Sequence, residues 1–261
     1  MRGGDAVEPG ASGMGTSTRW PGPSGSRGIP RQWQDADRRL RRWRPDREDA
    51  DQELDRIAEA YLRVLRATLR DDPSAFGLRD AACAAGERLA DAMAALAKDS
   101  PDNAEDFVAE LTRRVGGDGG TMADAALRRA ASDAGQRLLE HRPDAAGGGG
   151  LAGDLLCFLY QWFFADTVAE FLQAVVAEKV KLAVPVLYVA DPGDHIAGWV
   201  AKQVLKLVPN PCEEAAELVD QVKTAESIVE DPAQALPEIA RRLVPGTVGK
   251  ILGLVTGEAV A

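Results

Sequence analysis

The feature that most constrains the fold of this chain is an apolar run, Leu155–Ala165, which reads LLCFLYQWFFA. On a helix with 100° per residue, positions 155–164 would be apolar on nearly every side. Such a helix has to be covered all round by protein or by lipid. At roughly 1.5 Å per residue the run would extend about 16 Å, which is half of the roughly 30 Å hydrocarbon layer. We predict a buried central helix, with a partner interface and membrane insertion as alternatives.

Three aromatic residues of this run, Phe158, Trp162 and Phe163, are the first candidate interaction residues. Each aromatic side chain can bury about 150–250 Å², so leaving several of them exposed would be costly. The competing interpretation is that all three belong to the core of the chain.

The C-terminal tail, residues 245–261, supplies the other candidates: Gly249, Gly253 and Gly257 at four-residue steps. On a helix they would form one ridge that lets another helix approach closely, in a partner, a second copy or a membrane. Each interior glycine costs a helix about 1 kcal/mol relative to alanine. A frayed or weakly docked tail is therefore the alternative.

Helical patterns also dominate the segment 45–142. Apolar residues recur at three- and four-residue steps from Asp46 to Arg70. Asp72-Pro73 and Ser100-Pro101 resemble helix starts, and Thr121 with Asp124 resembles a capping box. Four amphipathic helices with short connections predict an antiparallel bundle and an all-α fold.

Composition divides the chain into four parts. Residues 1–44 are rich in Gly, Ser, Pro and Arg and predict a disordered basic tail ahead of the four-helix module 45–142. Residues 143–153 (PDAAGGGGLAG) have the composition of a linker. Residues 154–261 then predict a second, apolar helical module, in which 181–190 fits either helix or strand.

The net charge of −10 is unevenly distributed along the chain. Residues 1–44 carry nine Arg against four acidic residues, whereas both later parts are acidic. An acidic body disfavours nucleic-acid binding, which depends on phosphate neutralisation by Lys and Arg. The basic cluster at residues 38–44, with Trp43 inside it, could contact phosphates or anionic lipid, or could pair with the acidic residues that flank it.

Cysteine usage and the N-terminal composition bear on the compartment. Cys83, Cys157 and Cys212 are far apart and form no CxxC pair, so we predict reduced thiols. The first residues, MRGGDAVEPGASGMG, contain no apolar segment of the kind found in secretory signals. These two features predict a cytoplasmic protein.

Sequence motifs for catalysis are missing. HExxH, GxSxG and a GxGxxG after a strand do not occur, and His141 and His195 are the only histidines. Asp191, Asp194 and His195 stand before a predicted helix, where Asp194 is the expected cap, and a metal would need further ligands. We assign no catalytic residue, no cofactor and no metal.

These observations favour a non-enzymatic helical protein that acts through protein–protein contacts, with a protein partner or a second copy. Membrane action through the helix 155–165 and the tail 245–261 is one alternative. An enzyme with a carboxylate-lined helical pocket is another, and inward-facing acidic residues with raised pKa values in a cleft would support it.

Overall fold

The computed structural model describes residues 31–96, 104–117, 120–141, 153–183, 191–214, 216 and 232–254, and the predicted all-α class is confirmed. Within those ranges every regular element is a helix. A further helical segment begins at residue 211. The α-helices are α1 (Arg31–Arg42), α2 (Ala50–Asp71), α3 (Leu78–Leu96), α4 (Ala104–Val115), α5 (Met122–His141), α6 (Gly153–Ala183), α7 (Pro192–Leu205) and α8 (Pro232–Ile251).

Helix α1 corrects the predicted extent of the disordered tail, because residues 31–42 are helical and packed. Trp33, Ala36, Leu40 and Trp43 are buried and recur at three- and four-residue steps, which places them on one face. The Trp33 indole N–H donates a hydrogen bond to Thr68 Oγ1 of α2 at 3.1 Å. Of the predicted tail 1–44, residues 1–30 lie outside the described residues.

Helix α2 follows its hydrophobic pattern. Its apolar stripe is buried over its whole length, as the 3.6-residue period requires. The connection to α3 differs in part from the prediction: Asp72 ends α2 and its Oδ1 accepts a hydrogen bond from the Ser74 N–H at 3.0 Å, but the turn that it caps does not continue into α3. Positive φ angles of 63° at Phe76 and 64° at Gly77 interrupt the helix, so α3 begins only at Leu78.

The predicted capping box at the start of α5 is confirmed. The Asp124 N–H donates to Thr121 Oγ1 at 3.1 Å, and the Thr121 N–H donates to Asp124 Oδ2 at 3.2 Å. The two residues thus satisfy each other's backbone donors, which fixes where α5 begins. The Ser100-Pro101 signal lies outside the described residues.

Helix α6 is the central element, and the apolar run is covered by the chain's own helices. It packs against α5, α7 and α8, and Leu156, Leu159, Phe163 and Phe164 have no exposed surface. Aromatic contacts link its turns, with ring centroids of Tyr160 and Phe164 4.8 Å apart. The Tyr160 hydroxyl is 2.8 Å from Thr247 Oγ1 of α8, so its polar end has a buried partner.

The length of α6 corrects the estimate of about 16 Å that was based on the uncharged run Leu155–Ala165. The segment Gly153–Ala177 has 25 residues and a mean hydropathy of 1.3, which by length and composition is enough to cross a membrane. Asp166 and Glu170 lie inside this segment, and each has an arginine partner on α5. The most apolar window of this segment is 83% buried inside the protein, so other parts of the protein, and not lipid, surround it in this structure.

The end of α8 corrects the predicted glycine ridge. The helix stops at Ile251, and Gly253 has a φ of +69°. The Leu254 N–H donates to Gly249 O at 2.8 Å and the Gly253 N–H to Lys250 O at 3.1 Å, which is the Schellman pattern. Gly253 therefore terminates the helix, because glycine adopts positive φ without strain.

One continuous cluster of buried side chains includes residues of every helix from α1 to α8. The four-helix segment and the later helices therefore share a core, with α3 packed on α8 and α2 on α7. At the crossing of α3, α6 and α8 lies Gly86, where a Cβ would come within 2.7 Å of Phe164 Cζ and Val244 Cγ1. The helices approach this closely because the residue has no side chain.

We expect Gly86→Ala to lower the free energy of unfolding by about 2 kcal/mol, because the added methyl overpacks the core beside the stiff Val244. Gly198→Ala is the matched control, since a Cβ there would meet nothing within 4 Å. That exchange in the middle of α7 should stabilise the protein by about 1 kcal/mol. Urea unfolding measures both variants, and equal stabilisation of both would contradict the close helix crossing.

The cysteines differ from the prediction of three reduced thiols. Cys157 of α6 and Cys212 form a disulfide with their Cα atoms 5.9 Å apart, and Cys83 is free. The two partners are 55 residues apart in sequence and are brought together by the packing of α6. Since disulfides persist mainly in oxidising compartments, the cytoplasmic location loses the support of the cysteines and stays a prediction.

Candidate functional site

The three candidate aromatics of α6 have different environments. Phe158 is 43% exposed, Trp162 is 8% exposed and Phe163 is fully buried. Phe163 packs inside the core, with its ring centroid 5.2 Å from that of Phe164. Only Phe158 and the edge of Trp162 are therefore available to a partner in this conformation.

A compact group of side chains surrounds Phe158, and we call it the aromatic patch: Arg137, His141, Phe158 and Trp162. The rings of Phe158 and Trp162 are stacked, with centroids 5.5 Å apart and an interplanar angle of 17°. The His141 ring lies 4.9 Å from the Trp162 ring, and the Arg137 guanidinium lies 5.7 Å from it in a cation–π geometry. The patch is thus held from two helices.

Arg137 and His141 were not among the residues singled out from the sequence. They stand four residues apart on α5, which places them on the same face of the helix. The His141 Nδ1 atom lies 3.1 Å from Arg137 O, one turn earlier. The i, i+4 spacing of a cation and a histidine was the only available signal, and it did not indicate that Trp162 lies beside them.

The aromatic patch continues into a row of ionisable side chains between α5 and α6. Arg137 lies 3.2 Å from Asp166 Oδ2, and Arg129 lies 3.7 Å from a Glu170 carboxylate oxygen. Burial raises the pKa of Asp166 to about 6, and Arg137 acts in the opposite direction. Burial, with Asp133 nearby, raises the pKa of Glu170 to about 7.

We call Asp133, Asp166 and Glu170 the carboxylate row. It satisfies one of the two features expected of an enzyme, raised carboxyl pKa values, but not the other, a position in a cleft. These residues face inward, and burial raises the pKa of all three. They do not, however, line either of the two cavities described below. In the part of the chain that the structure describes, His, Cys, Asp and Glu side chains form no group suited to a metal ion. Asp166 and Glu170 are ion-paired with Arg137 and Arg129, and the row lines neither of those cavities, so we do not propose catalysis.

The raised pKa of Glu170 predicts a pH dependence of stability. Its ordinary value is 4.5 and its folded value about 7, so between these pH values the folded state binds more protons than the unfolded state. The free energy of unfolding should therefore fall as pH rises through 7. Glu170→Gln should remove part of this slope and stabilise the protein at pH above 7 by about 1 kcal/mol.

Chemical unfolding across the neutral range, with Glu87→Gln as the control at an exposed position of α3, measures this effect. The two variants change charge equally, so only a local effect separates them. Destabilisation of Glu170→Gln at high pH, with an unchanged slope, would mean that the Arg129 pair outweighs the cost of burial.

The remaining sequence candidates have structural roles. Asp191 caps α7 in place of Asp194, accepting a hydrogen bond from the Gly193 N–H at 2.7 Å. His195 Nε2 lies 2.8 Å from Asp55 Oδ1 of α2, and Asp194 accepts a hydrogen bond from Gln173. Gly249 is buried within α8, Gly253 ends that helix, and Gly257 lies outside the described residues.

The described residues form a groove and a smaller pocket at the surface. A groove of about 760 Å³ runs between α4 and α5, with Val108, Ala109 and Leu139 among its lining. A smaller pocket of about 300 Å³ lies where α1 ends and α2 begins, and arginines dominate its lining. Sequence analysis indicated the arginines but not the pocket that they form.

Comparison of the chain with protein-family models, with curated proteins and with solved structures gives no match.

Proposed function

We propose that this protein is a non-enzymatic helical protein that acts through protein–protein contacts, and that the aromatic patch is its contact surface. The observation that supports this is the 43% exposure of Phe158 on a helix whose other aromatic side chains are almost fully buried. Among the side chains whose exposure the structure describes, the other exposed large hydrophobics are Met122 and Leu207.

The composition of the aromatic patch supports binding. Contact residues that contribute most to binding energy are enriched in Trp, Tyr and Arg, and aromatic side chains supply area with few rotatable bonds. Trp162 is fixed between Phe158, His141 and Arg137, and Arg137 is fixed by Asp166. A surface ordered before binding loses little conformational entropy when a partner arrives.

The charges of the aromatic patch indicate the chemistry of the partner surface. Arg137 remains 37% exposed beside Phe158 and Trp162. We infer a partner that places an apolar or aromatic side chain on Phe158 and a carboxylate near Arg137. A second copy of this chain, with its acidic body, and an unrelated protein both fit that description.

A photo-crosslinking amino acid at position 158, with the same amino acid at Leu207 as the matched control, tests the proposal. Phe158 and Leu207 are 43% and 39% exposed, so nonspecific labelling should be similar at the two sites. We expect a discrete crosslinked species at position 158 alone, which Arg137→Gln weakens. Sedimentation of the purified protein then distinguishes a second copy from another partner. Identical crosslinking at the two positions would refute the proposal.

A membrane-acting protein is the second candidate, and the segment Gly153–Ala177 favours it by length and hydropathy. Release of α6 onto a bilayer would have to uncover a window that is 83% buried, and the Cys157–Cys212 disulfide opposes that release. Flotation with anionic vesicles, with and without reductant, tests it. Absence of flotation in both conditions would remove this candidate.

A further inference from the structure

We propose that the pocket between α1 and α2 binds the phosphate group of a small organic phosphate. We call it the basic pocket, and its volume is about 300 Å³, at the lower end for small-molecule sites. This inference is independent of the proposed protein–protein function. The residues that line the pocket are Arg39, Arg42, Trp43, Arg44, Arg47, Asp49, Ala50 and Glu53.

Charge is the first argument. Four guanidinium groups and two carboxylates line the basic pocket, so it is net positive in a chain whose net charge is −10. Both carboxylates have partners, because Asp49 binds Arg47 at 2.9 Å and Glu53 binds Arg56 at 3.1 Å. Arg39 and Arg42 have no ion-pair partner among the described residues. These two guanidinium groups are available to an anion.

The beginning of α2 is the second argument. The Asp49 side chain precedes this 22-residue helix but makes no capping hydrogen bond to it, since both of its oxygens accept from Arg47. The first turn of α2 therefore has no side-chain cap at the wall of the basic pocket. Uncapped N–H groups and the positive end of the helix dipole favour a bound anion.

The rigidity of the basic pocket is the third argument. Trp43 is 8% exposed, and its indole N–H donates to Ala50 O at 3.0 Å, which joins the end of α1 to the start of α2. The Arg44 side chain donates to Trp43 O at 3.1 Å. The pocket floor is therefore fixed without a ligand, while the planar, forked guanidinium groups suit the bidentate geometry of phosphate oxygens.

The size and surroundings of the basic pocket restrict the ligand. A volume of about 300 Å³ holds a phosphate and the carbon group next to it, but not an extended polymer. The acidic body of the chain also opposes a polyanion that would run beyond the pocket. Two sources offer the same phosphate monoester: a soluble metabolite such as a nucleotide, and the headgroup of a phosphorylated inositol lipid.

Titration calorimetry of the full chain with pyrophosphate and with adenosine monophosphate tests the proposal. The variant is Arg39→Gln/Arg42→Gln, and the control is Arg63→Gln/Arg70→Gln, which removes two exposed arginines from α2 outside the pocket. We expect saturable binding that the first pair of substitutions weakens about tenfold or more and the control pair less than about twofold, a difference of at least about 1 kcal/mol. Circular dichroism confirms that both variants fold.

Vesicle flotation separates the two sources. Phosphatidylcholine vesicles with and without phosphatidylinositol 4-phosphate are compared for the same variants. Selective flotation that requires Arg39 and Arg42 assigns the headgroup, and binding of the soluble phosphates alone assigns a metabolite. The proposal is overturned if neither probe binds saturably, or if both pairs of substitutions weaken binding equally, which would indicate general electrostatic attraction.

Discussion

Replacing Cys157 and Cys212 together by alanine is expected to lower the free energy of unfolding by about 4 kcal/mol. The disulfide closes a loop across 55 residues, and the chain-entropy relation gives about this value for a loop of that length. The bond also connects the central helix α6 to the segment that follows α7. We expect the same loss when the wild-type protein is reduced, because the reductant removes the same cross-link.

Thermal unfolding of the double variant, with Cys83→Ala as the control for a cysteine outside the disulfide, measures the effect. The number of thiols that react in the denatured, unreduced protein is an independent measurement. One reactive thiol, Cys83, is expected. Three reactive thiols in protein that has never met a reductant would contradict the disulfide and restore the reduced state predicted from the sequence.

The second large effect is expected at Phe163, where replacement by alanine should cost about 3–5 kcal/mol. This side chain is fully buried and lies edge-to-face against Phe164, so its removal leaves a cavity in the shared core. Phe158→Ala, five residues earlier in the same run, should change stability by less than about 1 kcal/mol because its side chain is 43% exposed.

Urea denaturation of the two alanine variants checks this contrast in stability, and crosslinking to a partner measures their effect on binding. Phe158→Ala should reduce crosslinking from a probe placed at Glu140, an exposed position beside the patch, while leaving the fold intact. Phe163→Ala should act on stability alone. A large loss of stability at Phe158 with little at Phe163 would mean that α6 is rotated about its axis relative to this structure.

Local signals predicted the first half of the fold well. The stripe Leu54, Ile57, Tyr61, Leu65 and Leu69 is buried as its period requires, and the start of α5 coincides with its capping box. Both signals depend only on neighbouring residues, because helical spacing and capping act within one or two turns. Such features are specified by the sequence before any tertiary contact forms.

Composition was a poorer guide than spacing in the N-terminal part. The segment around Arg38 and Arg42 is strongly charged, and this obscured the four apolar side chains that are buried at helical intervals, three within α1 and Trp43 directly after it. A helix whose mean composition is polar can still dock when its few apolar residues share one face. The disulfide between Cys157 and Cys212 has no local signal at all, since distant packing brings its partners together.

The candidate site was predictable only in part. A helix that is apolar on every side does not specify which side stays uncovered, so Phe158 and Phe163 were equivalent in the sequence. The neighbouring helices decide between them, and the end of α5 leaves Phe158 at the edge. The same reasoning applies to Gly253, since spacing alone does not distinguish a glycine within a helix from one that ends it.

The packing of α8 on α6 has a consequence for how the chain is made. Phe164 of α6 and Val244 of α8 both lie against Gly86 of α3, and Arg66 of α2 closes the end of α8 by donating to Ile251 O at 3.2 Å. At a synthesis rate of about 5–20 residues per second, α8 is made roughly 4–17 s after the apolar run of α6. For that interval α5 and then α7 can cover α6, while the side of α6 that packs on α8 stays exposed on the nascent chain.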